Sequence, residues 1–510
     1  MTTNEAINYI ENFTWGKTKL GLSRTKALLA SIGNPEKKLK FVHVAGSNGK
    51  GSTCAFISSI LAVAGYKVGF YSSPYLVDFC ERIQILSACG SQSYLDCEST
   101  PSGLRDCLKC ESTHPSLAAP SAPEPVVSDR SSQCSLVDGV DSQSQEVSQR
   151  KHKAIRGENI SYEALARITQ KIKLAADKLD DHPTQFEIIT AIGFEYFMEQ
   201  GCDIVVLEVG MGGEFDATNV IDAPCVSVIT NIGLEHTEYL GSTIEEIASA
   251  KGGIIKTGSL AVSYDGCESA NAVIERICKE KNVPLTFADF SKIEKVSASL
   301  DGQKFTYKGN EYETRLLGRH QLYNAAVAIE AANALISRGY AITQENIAQG
   351  IGDAVWHGRF EVLSKNPLFI LDGGHNPQCA AALVKTLDSL FPSKKFIFVT
   401  GILADKNYEK VFDIISPYAA EFICVTPNSP RALPAKDLAK YLLSRGLEAK
   451  ACDSVDEGIE EALGLVSDVS SDGESVVDES LCAASIDDAG VVAFGSLYMA
   501  GAVLRHFRKL

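Results

Sequence analysis

The sequence predicts an α/β fold built on two mostly parallel sheets. Short, near-continuous apolar runs recur along it: FVHVA (41–45), IVVLEV (204–209), VSVIT (226–230), LFILD (368–372), KFIFVTG (395–401), FICVTP (422–427) and VVAFGS (491–496). Helix-length segments separate these runs, and strands that are apolar on both faces belong to a parallel sheet covered on both sides. A third observation divides the chain. After the irregular stretch Val355-Trp356-His357-Gly358-Arg359-Phe360 a new series of strands begins, so residues 1–354 and 361–510 are read as two α/β domains joined by a hinge at 355–360.

A chain of 510 residues allows about three domains, or two large ones with insertions. With 45% hydrophobic and 22% charged residues it has the composition of a globular protein. Forty-eight Lys and Arg against 64 Asp and Glu give a net charge of −16, which argues against nucleic acid or an anionic membrane as partner and leaves small molecules. The opening MTTNEAINYIENF lacks the basic start and apolar run of a secretory signal. The expectation is a cytoplasmic protein that begins here, with its 15 cysteines as reduced thiols. The longest apolar stretches, 54–64 and 491–504, fall short of the ~20 residues needed to cross a bilayer.

Two segments interrupt the α/β pattern. Residues 86–156 hold fifteen Ser and five Pro but one aromatic, Tyr94, and bury too little apolar surface to offset their ordering entropy. They are read as a mostly disordered insertion. Within it Cys107-Leu-Lys-Cys110 and His114 form a weak zinc signal, since a closed tetrahedral site needs a second pair of ligands. Residues 466–488 carry seven acidic residues and no basic one and are read as an acidic loop.

The strongest local motif is Gly46-Ser47-Asn48-Gly49-Lys50-Gly51-Ser52, directly after FVHVA and directly before the apolar helix TCAFISSILAVAG. Strand, glycine-rich turn, lysine and helix start make a phosphate cradle: backbone N–H groups and the helix N-terminus face an anion, and Lys50 reaches the β/γ-phosphates. The spacing departs from the strict phosphate-loop string, because position 44 is Val and Gly51 follows the lysine. Glu208 closes a strand and precedes Gly210-Met211-Gly212-Gly213. An acid at the carboxyl end of a strand commonly holds Mg²⁺, so Glu208 is a metal-ligand candidate. His236, in NIGLEH after the next strand, falls at the equivalent edge. In the C-terminal half Asp372-Gly373-Gly374-His375-Asn376-Pro377 ends a strand and could serve nucleotide or substrate, or be only a tight turn. Arg359, in the hinge, could clamp a phosphate or form a surface ion pair.

Together these stretches resemble the bifunctional dihydrofolate synthase/folylpolyglutamate synthase family within the Mur ligase superfamily. The resemblance runs through LGLSRT, HVAGSNGKGST, YSSPYLVDFCERI, TQFEIIT, VLEVGMGGEFDATNV, ITNIGLEHTEYLGSTIEEIASAKGGIIK, GRHQLYNAAVAIEAANAL, WHGRFEV, ILDGGHNP, GILADKNY, PRAL and GSLYMAG, in that order. It implies a phosphate-loop ATPase-type N-terminal domain, a smaller Rossmann-like C-terminal domain, and an active site in the cleft between them. The implied reaction is phosphorylation of a folate-type carboxylate by ATP, followed by attack of the amino group of L-glutamate on the acyl phosphate. Carried over by motif, Gly49, Lys50, Gly51 and Ser52 match the phosphate loop, and Asn324, Arg359 and Asp372 match further ATP contacts. Ser73, Glu208 and His236 match magnesium ligands. Lys251 matches a lysine that the family carbamylates, which helps hold a second Mg²⁺. Gly21, Leu22, Ser23, Arg24, Phe186 and Asp216 resemble the pterin-binding surface, and His375 and Ser496 the glutamate side. Lys50, Lys251 and His375 are the implied catalytic groups. The implied protein is a monomer acting on ATP, L-glutamate and dihydropteroate or a reduced folate.

The chain departs from the family pattern at Glu214-Phe215, where many relatives have Arg-Leu, a charge reversal beside the implied pterin site. Gly252 and Gly374 stand where alanine is common, and Tyr75 where histidine is common. Two other readings compete: a cell-wall precursor ligase of the same superfamily, and a nucleotide-gated binding protein that has lost ligation.

Overall fold

The computed structural model describes residues 1–11, 21–88, 154–467 and 490–508. The chain divides into one unit of residues 1–88 and 155–510 and a second of 89–154, which lies outside the described residues but for Ala154. The architecture below is that of the first unit.

Eight strands form the large sheet: β1 (Phe41–Ala45), β2 (Val68–Tyr71), β3 (Ile83–Ala88), β4 (Ile155–Asn159), β5 (Ile204–Glu208), β6 (Val226–Ile229), β7 (Leu260–Tyr264) and β8 (Leu285–Ala288). Their order is β4-β3-β2-β5-β1-β6-β7-β8. The strands from β2 to β8 in that order pair parallel, whereas β3 and β4 add as an antiparallel ribbon at one edge. β1 and β5 are buried throughout, as their uninterrupted apolar character requires. Connections leave β1 towards β2 on one side and enter β6 on the other, so the chain reverses direction around β1. Crevices for ligands open at the carboxyl ends of strands at such a point.

The helix Lys50–Val63 is buried from Ser52 onward, because it is apolar on every face and is packed between the sheet and the helices Arg319–Ser337 and Gln344–Asp353. A second sheet was not foreseen. β9 (Ile293–Ser299), β10 (Gly302–Tyr307) and β11 (Asn310–Thr314) form an antiparallel meander. β9 reads IEKVSAS and leaves most of its side chains exposed, so it lacks the apolar run by which the other strands are recognised.

The third sheet contains β12 (Glu361–Lys365), β13 (Leu368–Asp372), β14 (Phe396–Thr400), β15 (Ala419–Cys424), β16 (Ala449–Ala451) and β17 (Gly490–Phe494), in the order β12-β13-β17-β14-β15-β16. Only β12 runs antiparallel. The α/β class with a large, mostly parallel N-terminal sheet and a smaller C-terminal one is thus as the sequence predicts. All seven expected strands form. The run at 422–427 is shifted, starting at Ala419 and stopping at Cys424, because Ala419 and Glu421 already pair with β14 while Pro427 has no N–H to extend the ladder.

The expected insertion needs narrower bounds. The ladder continues to Ala88, opposite Ile155, so residues 86–88 and 155–156 are strand, held by antiparallel pairing between β3 and β4. Residues 89–153, with the Cys107/Cys110 pair and His114, lie outside the described residues. So do 468–488 of the acidic segment, whose first two residues end the helix Val455–Ser467. Among the described residues no helix is long and apolar enough to cross a membrane.

β1 carries a pH-sensitive residue. His43 is fully buried, its Nε2 lies 2.9 Å from Thr218 Oγ1, and burial depresses its imidazole from 6.5 to about 3. The unfolded chain therefore binds a proton that the folded chain refuses. The stability this contributes is complete above pH 6.5 and is lost as pH falls towards 3, at about 1.4 kcal/mol per unit for one such group. Urea unfolding at pH 7 and pH 5 is expected to show a smaller loss for His43→Gln than for the parent protein. Equal losses would contradict this assignment.

Candidate active site

The turn after β1 is shaped by what surrounds it. At Gly46 a Cβ would lie 1.8 Å from Thr230 Oγ1, and at Gly49, with φ of 88°, it would lie 2.4 Å from Asn324 Oδ1. Ser47 N–H donates to Asn231 O at 2.7 Å, and Ser47 Oγ to Gly233 O at 2.9 Å, so the loop is bound to the segment following β6. Lys50 Nζ donates to Gly46 O (2.9 Å) and Ser47 O (3.2 Å). The cradle is therefore open backbone with a lysine folded over it, which fits a polyphosphate. Gly51 faces the indole of Trp356, whose ring a Cβ would approach to 2.5 Å, and Ser52 is buried at the helix start.

Glu208 ends β5 at the same edge. It is 4% exposed and accepts Ser73 N–H at 3.1 Å through Oε2. Burial raises its pKa, opposed by the charges of Lys50, Arg359 and Arg82. Among the described residues no three His, Cys, Asp or Glu side chains are grouped to enclose a metal. Mg²⁺ keeps several waters and usually takes one or two carboxylates together with substrate phosphates. Glu208 and the Ser73 hydroxyl are oxygen donors of the right kind. His236 has φ of 47° and is exposed, a left-handed conformation uncommon for a non-glycine residue.

Beside it stands a carboxylate that the sequence reading passed over. Glu235 Oε1 accepts from Lys251 Nζ at 2.7 Å, and the same Nζ donates to Gly46 O at 2.9 Å. Lys251 is 1% exposed, and burial lowers its pKa to about 8. Burial opposes ionisation of Glu235, but Lys50 and Lys251 outweigh it and hold that carboxyl down at about 2. At neutral pH both are charged, and the pair fixes the helix Ile244–Gly252 to the phosphate loop.

The second lobe meets the loop directly. Asn48 Nδ2 donates to Gln378 Oε1 (2.5 Å), and Asn48 Oδ1 accepts from Asn376 Nδ2 (3.0 Å). Asp372, at the end of β13, accepts Gly374 N–H (2.7 Å) and Phe360 N–H (3.1 Å), tying the segment 355–360 to the following turn. Arg359 acts electrostatically on both Asp372 and Glu208. His375 Nδ1 lies 3.2 Å from Gly373 O. A carbonyl can only accept, so Nδ1 carries the proton and Nε2 keeps a lone pair. Burial, with Lys406 nearby, lowers this imidazole to about 4, and it is neutral at pH 7. Ser496 Oγ accepts Tyr498 N–H at 3.2 Å and starts the helix Leu497–Arg508.

The residues matched to a pterin surface have divided roles. Phe186 is half-buried, stands over Gly210 and packs edge-on against Tyr71 at 6.1 Å. Asp216 is buried and spends both oxygens inside its loop, on Met211 N–H (2.9 Å), Thr218 N–H (3.0 Å) and Thr218 Oγ1 (2.6 Å). Glu214 and Phe215 beside it are exposed. Gly21 and Leu22 lead into the helix Ser23–Ser31, where Ser23 is exposed but Arg24 is not. Arg24 Nε and Nη2 each lie 3.1 Å from a Glu187 oxygen, with Arg24 7% and Glu187 5% exposed, and Nη1 reaches Asp181 at 3.3 Å. Its guanidinium is thus committed to the protein. Removing one partner of a buried ion pair leaves the other charge uncompensated, so Glu187→Ala is expected to cost about 3–5 kcal/mol in chemical denaturation. A loss below about 1 kcal/mol, the level of a surface pair, would contradict a structural role.

Asn48, Trp356, Asn376 and Gln378 were also missed, although each lies within or beside a quoted motif. Their partners are hundreds of positions away, and no local pattern announces them.

Residues 159–332 match the Mur ligase middle domain, and residues 358–473 match the Mur ligase, glutamate ligase domain. The chain is 34% identical over 432 residues to dihydrofolate synthase/folylpolyglutamate synthase of Bacillus subtilis (strain 168), covering 82% of this chain and 84% of that protein. It is 31% identical to folylpolyglutamate synthase of Lacticaseibacillus casei, covering 99% and 98%. Its fold superposes on the apo form of L. casei FPGS with a TM-score of 0.71 at 27% identity, covering all of both chains. An FPGS–AMPPCP–folate complex gives 0.71 at 27% identity, covering 99% of each chain. On this identity and coverage, the chain belongs to the dihydrofolate synthase/folylpolyglutamate synthase family of the Mur ligases.

Proposed function

We propose that the protein uses ATP to ligate L-glutamate to dihydropteroate, to the γ-carboxylate of reduced folates, or to both, acting as a cytoplasmic monomer on small molecules. The observation that carries this reading is the hydrogen bonding of Asn48, in the phosphate loop, to Asn376 and Gln378 of the second lobe. An acid activated at the loop and an amino acid held by the second lobe would meet there. In the first step a carboxylate oxygen attacks the γ-phosphorus and ADP leaves. In the second the glutamate ammonium gives up a proton to solvent, the amino nitrogen attacks the acyl carbon, phosphate leaves with the acyl–oxygen bonding pair, and the new amide nitrogen releases one further proton. Phosphoryl transfer needs positioning and charge neutralisation more than covalent help, and Lys50 and Arg359 provide cations. Mg²⁺ would be held by Glu208 and Ser73, with His236 at the rim, and would supply further neutralisation. The free Nε2 of His375 accepts a hydrogen bond from the glutamate ammonium and orients it, with Ser496 at the start of the helix Leu497–Arg508.

Lys251 is proposed as the carbamylated lysine. Its lowered pKa increases the fraction of neutral amine that can take up CO₂, and the ion pair with Glu235 must open for it to do so. Lys251→Ala is expected to reduce turnover by about 100-fold, in the range found for a displaced metal support. The melting temperature, read by differential scanning fluorimetry, should fall far less than activity. Turnover near that of the parent protein would remove Lys251 from the site.

ADP release with Mg-ATP and glutamate, measured separately with dihydropteroate and with tetrahydrofolate, tests the assignment. Activity with both establishes the bifunctional enzyme. Activity with tetrahydrofolate alone restricts it to tail extension and points to Glu214 and Phe215. Silence with both, despite ATP binding, rejects the proposal in favour of a different acid or a binding protein.

A further inference from the structure

Arg82 is a buried cation with no hydrogen-bonded or ion-paired anion among the described residues. It ends the turn Phe79–Arg82 within YSSPYLVDFCERI, is 6% exposed, and its Nε is enclosed without a hydrogen-bond partner. No hydrogen bond or ion pair of Nη1 or Nη2 is found among the described residues either, and neither atom is fully enclosed. The carboxylates nearby are engaged elsewhere. Glu81 accepts the N–H groups of Leu76 (2.7 Å), Val77 (3.2 Å) and Asp78 (3.1 Å). Asp78 accepts from Cys80 N–H at 2.7 Å and from the Tyr162 hydroxyl. Glu208 gives one oxygen to Ser73 N–H. What holds the guanidinium in place is aromatic: Tyr75 and Phe79 lie 5.2 and 5.8 Å from it. An unpaired buried charge costs several kcal/mol unless something completes it.

Its surroundings indicate what would do so. Tyr71, Tyr75, Tyr498 and Glu208 are among the groups that act on Arg82 electrostatically, and Leu76 and Val77 of the loop that carries it pack against the apolar core of the second lobe. Glu208 lies at the end of β5 beside the phosphate loop, whereas Tyr498 lies in the first turn of the helix that Ser496 starts. Arg82 therefore stands where the activating side meets the lobe assigned to the amino acid. The other basic side chains of the site are placed differently. Lys50 covers the phosphate loop, Lys251 pairs with Glu235, Arg24 pairs with Glu187, and Arg359 is set against Asp372. Lys406 is half-buried on the His375 side. L-Glutamate brings two carboxylates that remain ionised throughout the reaction, and a guanidinium binds such a group through two parallel N–H donors.

We propose that Arg82 binds a carboxylate of the incoming L-glutamate and so sets the position and selectivity of the amino-acid substrate. The proposal rests on the ligase reading above. The capped turn, with Glu81 and Asp78 fixing its backbone, holds the guanidinium ready before the substrate arrives.

Steady-state kinetics of full-length Arg82→Gln and Arg82→Lys, with glutamate, ATP and tetrahydrofolate or dihydropteroate each varied, tests it. The parent protein is run in parallel; if it shows no glutamate-dependent ADP release, the ligase reading itself fails. Loss of a charged hydrogen bond to a carboxylate is expected to raise the glutamate KM of Arg82→Gln about 10- to 100-fold, with Arg82→Lys recovering part of the loss. The KM values for ATP and the acid should stay within about threefold, the effect of a contact that those substrates do not make. Should the glutamine variant fail to fold, the lysine variant carries the same test. A glutamate KM within about twofold of the parent in a folded variant would overturn the proposal. So would a rise in the acid's KM with that of glutamate unchanged, which would place the acceptor's own carboxylate at Arg82.

Discussion

Replacing Lys50 with methionine is expected to lower glutamate-dependent turnover by about 10²–10³, the loss found when one preorganised charge is removed from a transition state. The side chain is half-buried, and its ammonium spans the loop between Gly46 O and Ser47 O. Those two hydrogen bonds are modest and solvent can replace them, so stability should change by about 1 kcal/mol or less. Methionine retains much of the apolar stem and removes only the charge. The comparison of kcat with melting temperature therefore separates catalysis from folding. Turnover within about tenfold of the parent protein would mean that the ammonium does not act on developing phosphate charge.

Glu208→Gln is the second large effect. The amide keeps the shape and can still accept Ser73 N–H through its carbonyl oxygen, but it is a poor ligand for Mg²⁺. Turnover is expected to fall about 10²-fold or more, with a higher Mg²⁺ requirement. Stability should move the other way. Burial raises the folded pKa of Glu208 above its ordinary value, and an acid shifted in that direction destabilises the fold in its ionised form. The neutral variant is thus expected to be at least as stable as the parent near pH 7.5. A variant that melts lower and keeps its activity would contradict both parts.

The phosphate loop was legible because its chemistry is local. A strand, glycines that tolerate no Cβ and a helix start are adjacent in sequence, and the structure places Gly46 and Gly49 against Thr230 and Asn324. The buried strands were legible for a similar reason, since an apolar run with no exposed face can hardly be anything else. The meander β9–β11 was not, because IEKVSAS presents its polar side chains to solvent and has no such run. Arg24 shows a different limit. A motif can mark a residue as close to the site, yet only the fold shows that Glu187, 163 positions away, takes up its charge. Lys251 is similar: on the sequence it is one more helix lysine, and its character comes from burial and from Glu235. Arg82 stood in a quoted motif without a role, because its lack of a partner among the described residues is visible only in the fold.

The central claim is that one acid and one molecule of L-glutamate are joined at the junction of the two lobes at the expense of ATP. Mass spectrometry of a reaction containing the purified full-length protein, Mg-ATP, L-glutamate and tetrahydrofolate or dihydropteroate tests it most directly. The expected product is the acid extended by one or more glutamyl residues, with one ADP released for each residue added. ATP consumption without a heavier acid, or no consumption when both acids have been supplied, would contradict it.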